Sequence, residues 1–209
     1  MKSPIVKYVV FDIETTGLKK DKNAIIEIAA CSFDQDLNDG KSYESGIMSV
    51  YDNREIEQRA LDSNGITNGQ IINGRDPKVV ADEFYNYLKG LTAGKNKVVL
   101  CGQNSDKFDI PFLNDFFTFF DKDLSEVANS DFTIDTLWLS RVKYPELTNF
   151  KLGTLCSENG VELSNAHRAM ADTKATMELI KIYIRNLRGL GNTGQKENKP
   201  ERYRNKFEM

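Results

Sequence analysis

One stretch constrains this chain more than any other: Val9-Val10-Phe11-Asp12-Ile13-Glu14-Thr15-Thr16-Gly17. The run from Ile5 to Phe11 is dominated by β-branched and aromatic residues, which reads as a buried strand, and two carboxylates then arrive two residues apart. Side chains alternate faces along a strand, so Asp12 and Glu14 point the same way. Two negative charges side by side at the end of a buried strand repel each other and are costly to desolvate unless a cation lies between them. Hard, oxygen-liking divalent ions such as Mg2+ or Mn2+ suit that arrangement. Gly17 lets the backbone turn sharply, which leaves the amides of Thr15 and Thr16 free to meet a ligand. An isolated Asp-x-Glu more often does no more than end a strand, so the rest of the chain has to decide.

Size and charge narrow the classes. With 209 residues and 40% hydrophobic content the chain can bury the core of one large domain. A net charge of -3 gives no global attraction to nucleic acid, so phosphate binding must rest on local basic groups or on bound metal. Cys31, Cys101 and Cys156 are odd in number, far apart and set among apolar residues, the pattern of reduced core thiols. The first residues lack a signal-peptide pattern, and no apolar stretch approaches the ~20 residues of a membrane span. A cytoplasmic protein with no membrane partner is the expectation.

Along the chain, Ala24 to Phe33 reads as a second strand, tightly connected to the first as an antiparallel hairpin. Glu27 interrupts it, and a carboxylate hydrogen-bonded to backbone is the expectation there. Ser42 to Val50 reads as a third, more polar edge strand, and Ile56 to Leu61 as a helical turn. Asp76-Pro77 opens a helix whose apolar stripe runs from Val79 to Leu91, and Lys97 to Gly102, with Val98, Val99, Leu100 and Cys101, is a short apolar strand. This helix-strand-helix alternation predicts an α/β domain. Phe108, Phe112, Leu113, Phe116, Phe117 and Phe120 form the face of the next helix, with Asp109 in its first turn. There Asp109 would at least complement the helix dipole. Thr133 to Trp138 is a strand turning into a helix, with Asp135 as its cap, a supporting place behind a metal ligand being the alternative, and Lys151 to Glu158 is a short helix ended by Asn159-Gly160. The last helix opens at 165–173 and carries a core stripe of Met170, Met177, Ile180, Ile184 and Leu187. These elements make one domain, 1–188, followed by a flexible C-terminal tail, 189–209.

His167 is the chain's single histidine and stands five residues before Asp172. A lone histidine carries little weight, but this one accompanies acidic residues at the ends of elements that can converge on one rim of an α/β sheet, where such folds bind ligands. Asp12, Glu14, Asp109 and Asp172 together would hold two divalent ions ~3.5–4 Å apart, the arrangement that serves in-line displacement at phosphorus. A histidine beside them, with an intrinsic pKa of ~6.5, would take the proton from the attacking water.

The three segments Phe11-Asp12-Ile13-Glu14-Thr15-Thr16-Gly17-Leu18, Asn104 to Leu113 and His167-Arg168-Ala169-Met170-Ala171-Asp172 resemble the exonuclease motifs of the DEDDh (DnaQ-like) family of 3'-to-5' exonucleases. The proofreading subunit of bacterial replicative DNA polymerase, ribonuclease T, oligoribonuclease and the three-prime repair exonucleases belong to that family. The resemblance runs in order over residues 7 to about 187. It implies a ribonuclease H-like fold, a five-stranded mixed sheet flanked by helices. It implies Asp12, Glu14, Asp109 and Asp172 as ligands of two Mg2+ or Mn2+ ions and His167 as general base. The sister subfamily with tyrosine four before the last aspartate is disfavoured, because Arg168 stands there. It further implies Thr15, Thr16 and Gly17 as contacts to the terminal nucleotide, with Asn104, Lys107 and Lys151 as additional candidates, although surface lysines are usually just solvated. Gln103 replaces a histidine frequent in the family, and Asn104 lies five rather than four residues before Asp109, a spacing closer to the three-prime repair members.

The expected activity is release of nucleoside 5'-monophosphates from the 3' end of DNA or RNA, preferably single-stranded, in proofreading or repair. A non-catalytic nucleic-acid-binding or scaffold module and an RNA-specific exoribonuclease are the alternatives, the first opposed by the presence of every carboxylate and the histidine. The tail, 189–209, is a candidate docking segment for a DNA polymerase or replication partner, against the plainer reading of a solvated end.

Overall fold

The computed structural model describes residues 6–92, 96–163 and 168–189. Its centre is β1 (Lys7–Thr15), which pairs antiparallel with β2 (Ile25–Asp34) through the expected hairpin. β3 (Asp39–Glu44) adds antiparallel to the far side of β2. On the other side of β1 lie β4 (Val99–Gly102) and then β5 (Ile134–Asp135), both parallel. The order β3-β2-β1-β4-β5 is a five-stranded mixed sheet flanked by helices, the ribonuclease H-like architecture.

The period of two along β1 sorts its side chains between two cores. Val9, Phe11 and Ile13 face α3 (Pro77–Lys89) and α4 (Asp109–Phe119), meeting Phe84, Leu88, Phe112 and Phe116. Val10 faces the other way, with Cys31, Phe33, Met177, Ile180 and Ile184, against the last helix, α8 (Ala169–Leu187). Asp12 and Glu14 continue the Val10 row. The carboxylates therefore emerge on the α8 side, and that parity is set by burial of their apolar neighbours.

The remaining elements brace this frame. α1 (Gln58–Asn64) and α2 (Asn68–Ile72) fill the connection to α3, and α2 starts at a reciprocal cap in which Thr67 and Gln70 satisfy each other's amides. The α3 start is as expected, with the Asp76 carboxylate accepting from the Lys78 amide at 2.8 Å and Pro77 in the first turn. α5 (Leu124–Val127) and α6 (Thr136–Lys143) follow α4, and α7 (Leu152–Asn159) packs Leu155 and Cys156 on Ala175, Leu179 and Tyr183 of α8. Gly160, at φ 66°, closes α7 in the left-handed conformation. All three cysteines are buried and free.

Two expectations about elements are corrected. The third strand ends at Glu44 rather than running to Val50, because the Ser45 hydroxyl accepts the Ile28 amide at 2.8 Å and Gly46 turns the chain at φ 66°. Leu187, expected in the core stripe of α8, is 76% exposed. No helix among the described residues is long and apolar enough to cross a membrane. Apart from Gly189, the tail 189–209 lies outside the described residues, as does His167.

Candidate active site

Three elements deliver carboxylates to one end of β1. Asp12 and Glu14 come from β1 itself, on the α8 face. Asp172 comes from the first turn of α8, which Thr173 ties to the sheet by donating its hydroxyl to the Ala29 carbonyl at 3.4 Å. One carboxylate oxygen from each of Asp12, Glu14 and Asp172 lies within 4.8 Å of the other two. Asp109 arrives from the opposite layer, at the first turn of α4, and is only 4% exposed. Its Oδ1 accepts the Ile13 amide at 3.3 Å, which fastens α4 to β1 between the two strand carboxylates.

The electrostatics are those of a site built for a cation. Burial holds the Asp12 carboxyl well above the usual carboxylate range, reinforced by the charges of Asp109, Glu14 and Asp172. Burial, then the charges of Glu27, Asp172 and Asp109, push Glu14 up to about 8, with Arg168 opposing them. Asp109 is raised to about 7 by burial, despite hydrogen bonds from its own amide and that of Ile13. A close group of oxygen donors that repel one another in this way fits a hard divalent ion. Asp12, Glu14 and Asp172 could hold one, with Asp109 beside Asp12.

The turn after β1 is less open than expected. Thr16 is fully buried, its amide donates to the Ala24 carbonyl at 2.9 Å and its hydroxyl to the Glu55 carbonyl at 2.6 Å. The expectation that this amide is free to meet a ligand is corrected: the hairpin consumes it to close its own turn. Thr15 is 7% exposed and donates its hydroxyl to the Gly17 carbonyl at 2.7 Å. Gly17 is required for space, since a Cβ there would collide with the buried Asn23 side chain that braces the turn. Of the other candidate contacts, Asn104 is exposed in the left-handed conformation at φ 59°, Lys107 is exposed two residues before Asp109, and Lys151 is exposed at the start of α7.

Sequence reasoning missed one partner of the site. Glu27, 1% exposed, is held by the Arg168 guanidinium at 2.9 Å, not by backbone as expected. Its strand register places it directly opposite Glu14. The available signal was a lone charge in an apolar strand that the hairpin must bring beside the acidic pair.

Asp135 is the predicted cap of α6, accepting from the Leu137 amide at 2.9 Å. It does more: its two oxygens also accept the amides of Asn104 at 2.9 Å and Asp106 at 3.3 Å, pinning the loop that leads into Asp109.

A mixed sheet with carboxylates converging from β1, α4 and α8 defines a nuclease domain of the ribonuclease H-like class. The exonuclease family model of ribonuclease T type matches residues 9–180, and the chain belongs to that family, among the DEDDh 3'-to-5' exonucleases. Similar proteins include the PolC-type DNA polymerase III of Halalkalibacterium halodurans, 34% identical over 175 residues, and that of Bacillus subtilis, 33% identical over 174. Each match covers 83% of this chain but 11% of the relative, so the chain spans about a ninth of these polymerases. Among solved structures, Escherichia coli Exonuclease I in complex with a dT13 oligonucleotide has the same fold, with a TM-score of 0.74 at 24% identity, over 88% of this chain and 42% of that one.

Proposed function

We propose that this chain is a divalent-metal-dependent exonuclease that removes nucleoside 5'-monophosphates from the 3' end of single-stranded DNA. The observation that carries this reading is the meeting of Asp12, Glu14 and Asp172 within 4.8 Å, with Asp109 locked between β1 and α4. Mg2+ or Mn2+ held by these residues would supply Lewis-acid stabilisation of the phosphate oxygens and a more acidic bound water. Asp109 ties the first turn of α4 to the end of β1 through the Ile13 amide, which keeps its carboxyl beside Asp12. His167, one residue before Arg168, is assigned the general base that accepts the proton of the attacking water. Thr15 and Gly17 shape the floor on which the terminal nucleotide rests. The PolC-type DNA polymerase III relatives support action on DNA beside a polymerase, and Exonuclease I with its dT13 oligonucleotide supports a single strand as the form bound.

The test is degradation of 5'-labelled single strands with Mg2+ or Mn2+, on matched DNA and RNA. Stepwise shortening from the 3' end with mononucleotide release, abolished by EDTA and by Asp12→Asn, is expected. Shortening that survives either treatment would overturn the metal-site reading, and faster shortening of RNA would replace DNA as the substrate.

A further inference from the structure

Beside the carboxylate site lies an aromatic and cationic surface that the proposed chemistry does not use. Trp138, on α6, is 44% exposed. The Lys107 ammonium lies 5.2 Å and the Arg141 guanidinium 5.3 Å from the centre of its ring. Arg141 also reaches the Phe150 ring at 5.7 Å. Neither Lys107 nor Arg141 makes a salt bridge with a described residue, so both charges are open to an outside anion.

Hydrogen bonds tie this surface to the site. Lys107 belongs to the loop whose Asn104 and Asp106 amides are bound by Asp135, and Trp138 stands three residues after Asp135 on the helix that Asp135 caps. Thr133 donates to Asp106 at 2.6 Å, and the Thr136 hydroxyl to the Gly102 carbonyl at 3.2 Å. Gln103 donates to the Phe150 carbonyl at 2.8 Å, bringing the segment before α7 to the same cluster. The loop then runs directly into Asp109.

We propose that Trp138, with Lys107 and Arg141, is a subsite that stacks one base of the substrate strand and neutralises the adjoining phosphates. This rests on the single-strand nuclease reading above and extends it to a specificity element outside the carboxylates. The protein's overall charge repels a polyanion, so attraction has to be concentrated in such a patch. Base stacking on an indole is stronger than an exposed cation–π contact, so an arriving base displaces a cation from the ring, and the displaced cation finds a phosphate beside it. Stacking tolerates every base, which suits an enzyme that must accept each nucleotide in turn.

Trp138 is the chain's single tryptophan, so its fluorescence reports on this surface alone. In EDTA, which prevents turnover, titration with single-stranded oligodeoxynucleotides is expected to quench it. A series carrying one abasic residue at successive positions should lose the quench at one position. In Mg2+, Trp138→Ala should raise KM for an oligonucleotide about tenfold, the loss falling on KM rather than kcat, while Trp138→Phe stays within about twofold of the parent. The p-nitrophenyl ester of thymidine 5'-monophosphate carries no second base along a strand, and its KM should move less than twofold in Trp138→Ala. Lys107→Ala and Arg141→Ala should each reduce the salt dependence of oligonucleotide binding, by about 0.7 in the slope of log K against log salt. No quench together with an unchanged oligonucleotide KM in Trp138→Ala would refute the subsite, as would a quench indifferent to every abasic position. If the parent hydrolyses neither oligonucleotide nor ester, the nuclease reading fails instead, and the quench still decides whether the surface binds single strands.

Discussion

Arg168 and Glu27 are 141 residues apart in the chain and joined by a 2.9 Å charged hydrogen bond in the fold. The pair clamps the start of α8 to β2 at the point where Glu27 faces Glu14 across the strands. Without the guanidinium, two carboxylates would stand opposite each other with no cation between them, an unfavourable cross-strand pairing. Arg168→Ala is expected to lower stability by about 1–3 kcal/mol, since Glu27 is left buried and unpaired. Adding Glu27→Gln to Arg168→Ala should recover part of that loss. Urea midpoints of the two variants measure it, and equal midpoints would show that the pair does not govern Glu27. Turnover should fall in both, because the clamp begins one residue after His167.

Asp12→Asn is expected to lower exonuclease turnover by on the order of 10^3-fold or more, as it removes a charge from the centre of the acidic group. The same change should leave the metal-free protein as stable or more so, because it relieves repulsion among buried carboxylates. In the parent, Mg2+ at about a hundred times its dissociation constant should add about 2.7 kcal/mol. Thermal denaturation with and without Mg2+ distinguishes the two: the parent shifts and the variant does not.

The metal-free protein should lose stability as the pH rises from 3.8 to about 8. Glu14 keeps its proton in the fold up to about 8 and Asp109 up to about 7, against ordinary values of 4.5 and 3.8. Between those limits the native state binds more protons than the unfolded chain, so each step up in pH favours unfolding. In chelator the melting temperature should be higher at pH 5.5 than at pH 8.5. Saturating Mg2+ should flatten or reverse that trend, since the ion replaces the protons.

Asp135→Ala removes the α6 cap and the two amide contacts to the 104–106 loop together. A loss of about 1–3 kcal/mol in urea denaturation is expected. Oligonucleotide KM should rise as well, because Lys107 and Trp138 lose their common anchor. A stability loss with KM unchanged would separate the cap from the loop.

Gly17→Ala should cost about 1–3 kcal/mol by overpacking, because the added carbon meets Asn23 inside the turn. Asn23 is fully buried; its side-chain amide donates to the Glu55 carbonyl at 3.2 Å while its Oδ1 accepts the Lys19 amide at 2.9 Å. Pairing Gly17→Ala with Asn23→Ala tests this cause: if collision is the origin, the two losses do not add.

Much of this protein was determined by local chemistry and is legible in the chain. The alternation of Val9, Val10, Phe11, Asp12, Ile13 and Glu14 dictates which face each residue takes, because apolar side chains must leave water on both sides of a central strand. Asp76-Pro77, Asn159-Gly160 and Asp135 mark helix ends through backbone groups that need partners nearby in sequence. The acidic triad follows from that alternation once three motifs are known to meet. Tertiary structure alone decided how the charges are balanced. The Arg168 partner of Glu27, the anchoring of Asp109 on the Ile13 amide, the hold of the Thr16 hydroxyl on the Glu55 carbonyl and the gathering of Trp138 and Arg141 with Lys107 all join elements distant in the chain. Electrostatic and stacking contacts of that kind depend on separation in space, and separation in space is settled only when the two helical layers close on the two faces of the sheet.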